Sequence, residues 1–342
     1  MNPPPFATHW ARELGAAEES LIQLRGGINN RVYRCGEGVE SYVIKGYEPA
    51  DCGKRNRMKA EVDFLRYASI ITPQFVPKLH FCDWDRRCIV LEHLSGNSYA
   101  EGSAPTAIDL EAAVAFFRLL NAENKLAREW IEMDAAEGFL SLRQHLANVK
   151  DRIYSMSVDH LPKANQDAAR DLLIKIKEAS EVIETNTELL ITSGVVSDGI
   201  NASESCVSPS DFGFHNAILT KTGVKFIDFE FAGWDDPAKV AVDFALQPRV
   251  PVRVMESPLL LAMGQHGYEV NRHRLEALGL ILRLKWTAII LAILQPVRMN
   301  KLLANTISTD VKQLTNERLT RAAHYFREES PFGLHRLHVA VA

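Results

Sequence analysis

Residues 210–228 read Ser210-Asp211-Phe212-Gly213-Phe214-His215-Asn216, then Ala217-Ile218-Leu219-Thr220-Lys221-Thr222-Gly223-Val224-Lys225-Phe226-Ile227-Asp228. The apolar, β-prone runs 217–220 and 224–228 flank Lys221-Thr222-Gly223, which predicts a hairpin. That hairpin has Asp211 and Asn216 at its entrance and Asp228 at its exit. Carboxylate and amide oxygens are the donors that hard cations prefer. A carboxylate beside a hydroxyl can also take or orient its proton. An Asp-x4-Asn spacing alone is common by chance, so its meaning depends on what precedes it.

Upstream, Val43-Ile44-Lys45 puts a lysine at the end of a β run. Phosphoryl transfer asks for cations on phosphate oxygens and a positioned acceptor hydroxyl, and little covalent help. A lysine ammonium is a suitable point charge for phosphate. Runs 21–24, 31–35 and 41–47 are short and β-prone, separated by turns at Gly26-Gly27 and Gly36-Glu37-Gly38. Residues 54–68 carry Met58, Val62, Leu65 and Ala68 at helical spacing, and Pro73 and Pro77 end that pattern. Runs 78–83 and 88–92 add two strands. Ser95-Gly96-Asn97 reads as a joint. Beyond it, helices are expected over 108–130, 142–154 and 164–190, then a polar stretch 197–210, the hairpin, and further helices from Pro237. The fold class is therefore α+β, with an N-terminal domain over 1–94 and a mainly helical one over 95–342.

The order of these clusters resembles the aminoglycoside phosphotransferase and choline kinase-like family. That resemblance implies a two-lobed, protein-kinase-like fold: a small antiparallel β lobe with one helix and a large, mainly α lobe. Gly26-Gly27-Ile28-Asn29-Asn30-Arg31 is similar to the family's nucleotide loop, which makes Asn30 a cofactor-binding candidate. Lys45 matches the strand lysine on the α and β phosphates, and Glu61 the helix glutamate that pairs with it. Ile89-Val90-Leu91-Glu92-His93-Leu94 looks like the hinge, with the backbone of Glu92 and Leu94 meeting the adenine. Asp211 matches the catalytic base, and Asn216 and Asp228 the Mg²⁺ ligands. Asp211-Phe212-Gly213 also spells the metal tripeptide of protein kinases. The asparagine five positions later and the strand-ending Asp228, 17 residues downstream, identify it instead as the catalytic loop. One departure stands out: the family usually has His-Gly before the base, and this chain has Pro209-Ser210.

The resemblance implies ATP and Mg²⁺ as cofactors and transfer of the γ-phosphate to a small-molecule hydroxyl. The acceptor would be an amino alcohol, a sugar, an aminoglycoside or a related metabolite. Two other readings share the fold. One is a catalytically weak, pseudokinase-like nucleotide-binding regulator, to which only Pro209-Ser210 points. The other is a protein kinase, against which stand the missing strict glycine loop and the missing Ala-Pro-Glu after Asp228.

Bulk properties narrow the field further. The 342 residues are 46% hydrophobic and 24% charged, with a formal net charge of −4. Neither a disordered chain nor a nucleic-acid binder is expected from these values. Cys35, Cys52, Cys82, Cys88 and Cys206 are scattered without a CxxC pair, which points to reduced thiols. The N-terminus lacks the pattern of a signal peptide. The apolar stretch 278–294 contains Arg283 and Lys285 and is expected to be a buried helix rather than a membrane span. A cytoplasmic enzyme with a small-molecule partner is the resulting expectation; oligomeric state leaves no trace. Asp235 and Asp236 before Pro237 are expected to cap a helix; Glu230 is open between that acidic cluster and a substrate role. The basic run 54–59 is expected to be a solvated helix start. His215 either touches phosphate or packs beside Phe212 and Phe214. Trp84, Trp130 and Trp234 are expected to pack in the core or between lobes.

Overall fold

A computed structural model of the chain describes residues 3–24, 30–38, 41–49, 55–252, 272–299 and 310–327. Packing divides the chain into two compact units: Met1–Gly138 with Cys206–Asp235, and Phe139–Ser205 with Asp236–Ala342. This is a different cut from a lobe boundary after residue 94. It keeps Lys45, Glu61, Asp211, Asn216 and Asp228 in one unit.

In the first unit, strands β1 (Ile22–Gln23), β2 (Asn30–Cys35), β3 (Tyr42–Tyr47), β4 (Leu79–Asp83) and β5 (Cys88–Glu92) form an antiparallel sheet in the order β1-β2-β3-β5-β4. Side chains alternate across a strand, so β3 points Ile44 and Gly46 to one face and Lys45 and Tyr47 to the other. The first face is covered by a helix the sequence reading did not anticipate, α1 (Pro5–Glu13), with Pro5 at its first turn. Phe6, Trp10 and Leu14 pack there against Ala11, Cys35, Ile44, Cys88 and Val90. Gly46 permits the contact, since a Cβ at that position would lie 2.3 Å from the Phe6 ring.

Against the other face lies α2 (Arg57–Ile71), started by Asn56, whose side chain accepts from the Lys59 amide at 3.1 Å. Met58, Val62, Leu65 and Ala68 are all buried, as their spacing predicted.

The stretch expected to be a joint is itself a strand. β6 (Gly96–Ser98) pairs with β8 (Ala217–Thr220), which pairs with β9 (Gly223–Phe226), so the predicted hairpin gains a third strand. A second small sheet joins β7 (Cys206–Ser208) to β10 (Gly233–Asp235). These pairings correct the expectation of one hairpin in an otherwise helical region; three-residue strands carry too little alternation to announce themselves. The single helix expected over 108–130 is two, α3 (Ala107–Leu120) and α4 (Asn124–Trp130). Asn121 lies between them because its side chain is bonded to the backbone of Val207, accepting from the N–H at 2.7 Å and donating to the carbonyl at 3.1 Å.

The second unit is helical: α5 (Leu142–Tyr154), α6 (Lys163–Thr192), α7 (Pro237–Leu246), α8 (Arg272–Ile290) and α9 (Val311–Arg327). Leu146, Val149, Ile153, Ile176, Ile183, Val242, Ile281 and Leu284 share one core. The apolar stretch 278–294 forms most of α8 and the turn after it, and is buried as expected. Its two charges are buried with it: Lys285 donates to both oxygens of Asp243 at 2.7 Å, and Arg283 donates to the Tyr325 carbonyl at 2.8 Å. No helix among the described residues is long and apolar enough to cross a membrane.

Candidate active site

Lys45 leaves β3 on the α2 side and meets two carboxylates. Its Nζ donates to Glu61 Oε2 at 2.6 Å and to Asp228 Oδ1 at 2.5 Å. Burial works against the ammonium's charge, but Asp228, Glu61 and Glu230 outweigh it and hold Lys45 above its ordinary range. Glu61 is 1% exposed and has further donors. The Tyr47 hydroxyl reaches the same Oε2 at 2.6 Å, and the Phe229 amide reaches Oε1 at 3.3 Å. Burial, then the Glu61 charge, push the Tyr47 phenol well above its ordinary range, so it stays a donor. A buried carboxylate needs such partners, because losing any of them exposes the cost of its desolvation.

The catalytic-loop candidate follows β7. The Ser208 hydroxyl accepts from the Ser210 amide at 2.9 Å, and Ser210 has φ 66°. A short turn, Phe214–Asn216, then leads into β8. Phe212 and Phe214 are buried, with their rings 5.1 Å and 6.1 Å from that of Phe226. The polar residues of the loop turn to Asp211. Asn216 Nδ2 donates to its carbonyl at 3.0 Å and to its Oδ2 at 3.2 Å, and His215 Nε2 donates to its Oδ1 at 3.0 Å. Neither expectation for His215 anticipated this bond.

The β8–β9 register explains how Asp228 reaches the same place. Ala217 pairs with Phe226, and the Ile227 amide donates to the Asn216 carbonyl at 2.9 Å. Asp228 is therefore one residue past the partner of Asn216, with φ 69°. Its neighbour Phe229 stacks on Phe64 of α2 at 4.4 Å.

The segment after Asp228 is held by residues the sequence reading assigned elsewhere. Arg55, expected on a solvated helix start, donates to the carbonyls of Asp134, Glu230 and Ala232. Arg57 lies 3.6 Å from Glu230. Glu230 is 3% exposed and accepts from Asn30 Nδ2 at 2.6 Å. Burial raises its carboxyl above the usual range; Lys45 offsets part of this, while Asp228 adds to it. Asp236 caps α7 through the Ala238 amide at 2.8 Å, as expected. Trp234 is buried and donates to the Ile131 carbonyl at 2.8 Å, whereas Trp84 is 48% exposed and so does not pack in a core.

Of the predicted residues, Lys45, Glu61 and Asp228 are in direct contact, and Asn216 joins Asp211 to the strand leading into Asp228. Asn30 is tied in through Glu230. Residues 26–29 of the proposed nucleotide loop lie outside the described residues. Glu92 ends β5; its amide donates to the Lys78 carbonyl at 2.8 Å, and its carboxylate accepts from Lys225 at 3.1 Å. Leu94 follows just past the strand, half-buried. The donor set suits a magnesium ion. The Asn216 amide oxygen and the second Asp228 oxygen are unused among the described hydrogen bonds, and the Asp228 side chain is 34% exposed. Magnesium takes few protein ligands when it travels with a polyphosphate. Tyr47 had a signal in the sequence, being two residues after Lys45 and so on the same strand face. Arg55 had none.

The model of the phosphotransferase enzyme family matches residues 20–278. No curated protein is similar in sequence at a significant level. Among solved structures, the choline kinase of Cryptosporidium parvum aligns with a TM-score of 0.55 at 14% identity, covering 89% of this chain and 88% of that one. The macrolide 2'-phosphotransferase of Brachybacterium faecium aligns at 0.53 and 14%, covering 91% and 96%. A spectinomycin phosphotransferase in complex with ADP and spectinomycin aligns at 0.53 and 11%, covering 89% and 92%. At such identities the likeness is one of fold.

Proposed function

The chain belongs to the phosphotransferase enzyme family, and from that premise we propose that it transfers the γ-phosphate of ATP to a hydroxyl of a small molecule. The observation that carries this reading is the run of contacts Glu61–Lys45–Asp228, with Asn216 and Asp211 beside it, all within one compact unit. Related structures include complexes with AMP and ADP, which supports a nucleotide at this site.

In the proposed mechanism Lys45, oriented by Glu61, turns its ammonium from Asp228 to the phosphate oxygens. Asn30 borders the nucleotide loop, and the backbone at Glu92 and Leu94 lies along the base. Asn216 and Asp228 would hold Mg²⁺, which when bound would neutralise charge on the phosphates. Asp211 accepts or directs the acceptor's proton. A bond forms from the acceptor oxygen to the γ-phosphorus, the bond from that phosphorus to the β–γ bridging oxygen breaks, and ADP leaves. The acceptor class covers amino alcohols, sugars, aminoglycosides and related metabolites. A cytoplasmic setting fits the reading, and Cys35, Cys82 and Cys88 carry no disulfide.

The test is an ADP-release screen over hydroxylated metabolites and aminoglycosides. Asp211→Asn should slow transfer by about 100-fold or more, the usual worth of a positioned base; full transfer by that variant overturns the assignment. In a thermal-shift assay ATP with Mg²⁺ should stabilise the protein, as any ligand of the folded state must. Asp228→Ala should lose the Mg²⁺-dependent part of that shift, and an undiminished shift would remove Asp228 from the metal site.

A further inference from the structure

We propose that His215 is a positioning residue for Asp211, holding the carboxylate in the orientation from which it receives the acceptor's proton. The inference rests on the reading of Asp211 as the base. His215 Nε2 lies 3.0 Å from Asp211 Oδ1, and the imidazole is buried, with 5% of the side chain exposed. Its other nitrogen, Nδ1, is buried and has no hydrogen-bond partner among the described residues.

A carboxylate oxygen only accepts, so the 3.0 Å contact requires the proton on Nε2. An interior nitrogen left without a partner forfeits a hydrogen bond. A ring kept only for packing would do better as leucine or phenylalanine, as Phe212 and Phe214 on either side of Gly213 show by packing near Phe226. The fold tolerates the orphaned Nδ1, and the return is a donor on Asp211.

The two residues that end the turn grip the carboxylate from both sides: His215 on Oδ1 and Asn216 Nδ2 on Oδ2 at 3.2 Å. The residues before the base send their side chains elsewhere. Ser208 Oγ takes the Ser210 amide, and Ser210 Oγ donates to the Ala136 carbonyl at 3.3 Å. Pro209 has no donor at all. The brace therefore comes from the downstream side of the base.

Two measurements on the full chain test this. In the first, ¹⁵N-histidine-labelled protein is examined by long-range ¹H–¹⁵N correlation, with His215→Phe identifying the resonance. Nε2 should carry the proton, and its signal should move in Asp211→Asn. An unprotonated Nε2, or a signal indifferent to residue 211, overturns the hydrogen bond. The second measures ATP hydrolysis with water as the acceptor. His215→Phe should lower kcat by about tenfold or more while KM for ATP stays within about twofold, since a displaced base costs turnover and not nucleotide binding. His215→Gln, whose amide N–H reaches the place of Nε2, should recover most of the loss. Equal slowness of the Gln and Phe variants, or normal turnover of His215→Phe, overturns the inference. Asp211→Asn separates the two readings. Normal hydrolysis by that variant defeats the base assignment itself. Slow hydrolysis by it, beside an undisturbed His215→Phe, defeats only the role of His215.

Discussion

Ser210 and Asp228 bracket the candidate site with left-handed backbones, at φ 66° and 69°. Such a conformation costs a residue with a Cβ about 1–2 kcal/mol. The resemblance leads one to expect glycine at position 210, and the observed angle gives the physical reason. Ser210→Gly relieves the strain but gives the unfolded chain more freedom, a penalty of about 0.4–1 kcal/mol. The net expectation is a gain of roughly 0.5–1 kcal/mol, read from the midpoint of urea denaturation. A loss would mean that the Ser210 bond to Ala136 outweighs the strain. Lys45 makes the opposite case. Lys45→Met would leave the carboxylate of Glu61 buried without its cation, a defect worth about 3–5 kcal/mol. Destabilisation on that scale should appear without nucleotide, and a wild-type urea midpoint would show that Glu61 does not depend on Lys45.

Among the elements, β3 is the one on which both faces of the sheet depend. Its alternation sends Lys45 and Tyr47 to Glu61 and turns Ile44 and Gly46 to α1. Gly46→Ala would drive a methyl group into the Phe6 ring, 2.3 Å away. The ring can swing, but only by giving up part of its cover of the sheet. Overpacking of this kind costs about 1–3 kcal/mol. The drop should be visible in urea denaturation, and a Phe6→Ala background should erase most of it; equal drops in both backgrounds would mean that the clash lies elsewhere. The same elements show how far local pattern reaches. All five strands of the sheet were legible as β-prone runs between turns, and the buried face of α2 from its helical spacing. α1 was not read, because it is only nine residues long and begins at the last of three consecutive prolines, a run that reads as extended chain. β6, β7 and β10 were not read either, since each exists through its partner across the chain.

At the scale of the whole molecule, each unit pairs within itself the charges it buries. In the second unit, Arg274 on α8 pairs with Asp236 at 2.6 Å and donates to the carbonyls of Leu140, Ser197 and Asp198. It joins segments 38 to 134 positions apart. Arg274→Met should cost about 3–5 kcal/mol by stranding a buried carboxylate; a denaturation midpoint near wild type would show the pair to be dispensable.

His145 in the same unit makes stability depend on pH. Burial, then the ammonium groups of Lys239 and Lys285, hold its imidazole well below the ordinary range, and Arg274 adds to this; the Phe139 carbonyl offsets part of it. Below about pH 6.5 the unfolded chain binds a proton that the folded chain refuses. Stability is therefore full above that pH and falls as the pH drops toward the folded value. His145→Asn, which keeps a donor for the Phe139 carbonyl, should flatten urea midpoints measured between pH 8 and 5.5. An unchanged slope would assign the acid sensitivity to other groups.

The sequence by itself determined which reacting groups this protein has and in what order they come. Asp211, Asn216 and Asp228 sit around a short hairpin, and hairpin register is a local matter, so spacing alone brings them near one another. Strand alternation likewise decides that Lys45 shares a face with Tyr47. Only the tertiary structure decided which charge meets which. The Lys45–Asp228 pair spans 183 positions, the Asn30–Glu230 pair 200, and the Arg55 contact with the Glu230 carbonyl 175. Contacts at such separations come from packed helices and sheets, and no window of local sequence holds both partners. His215 lies on the boundary: its place four residues after Asp211 was visible, but only the folded turn shows its ring directed at the Asp211 carboxylate.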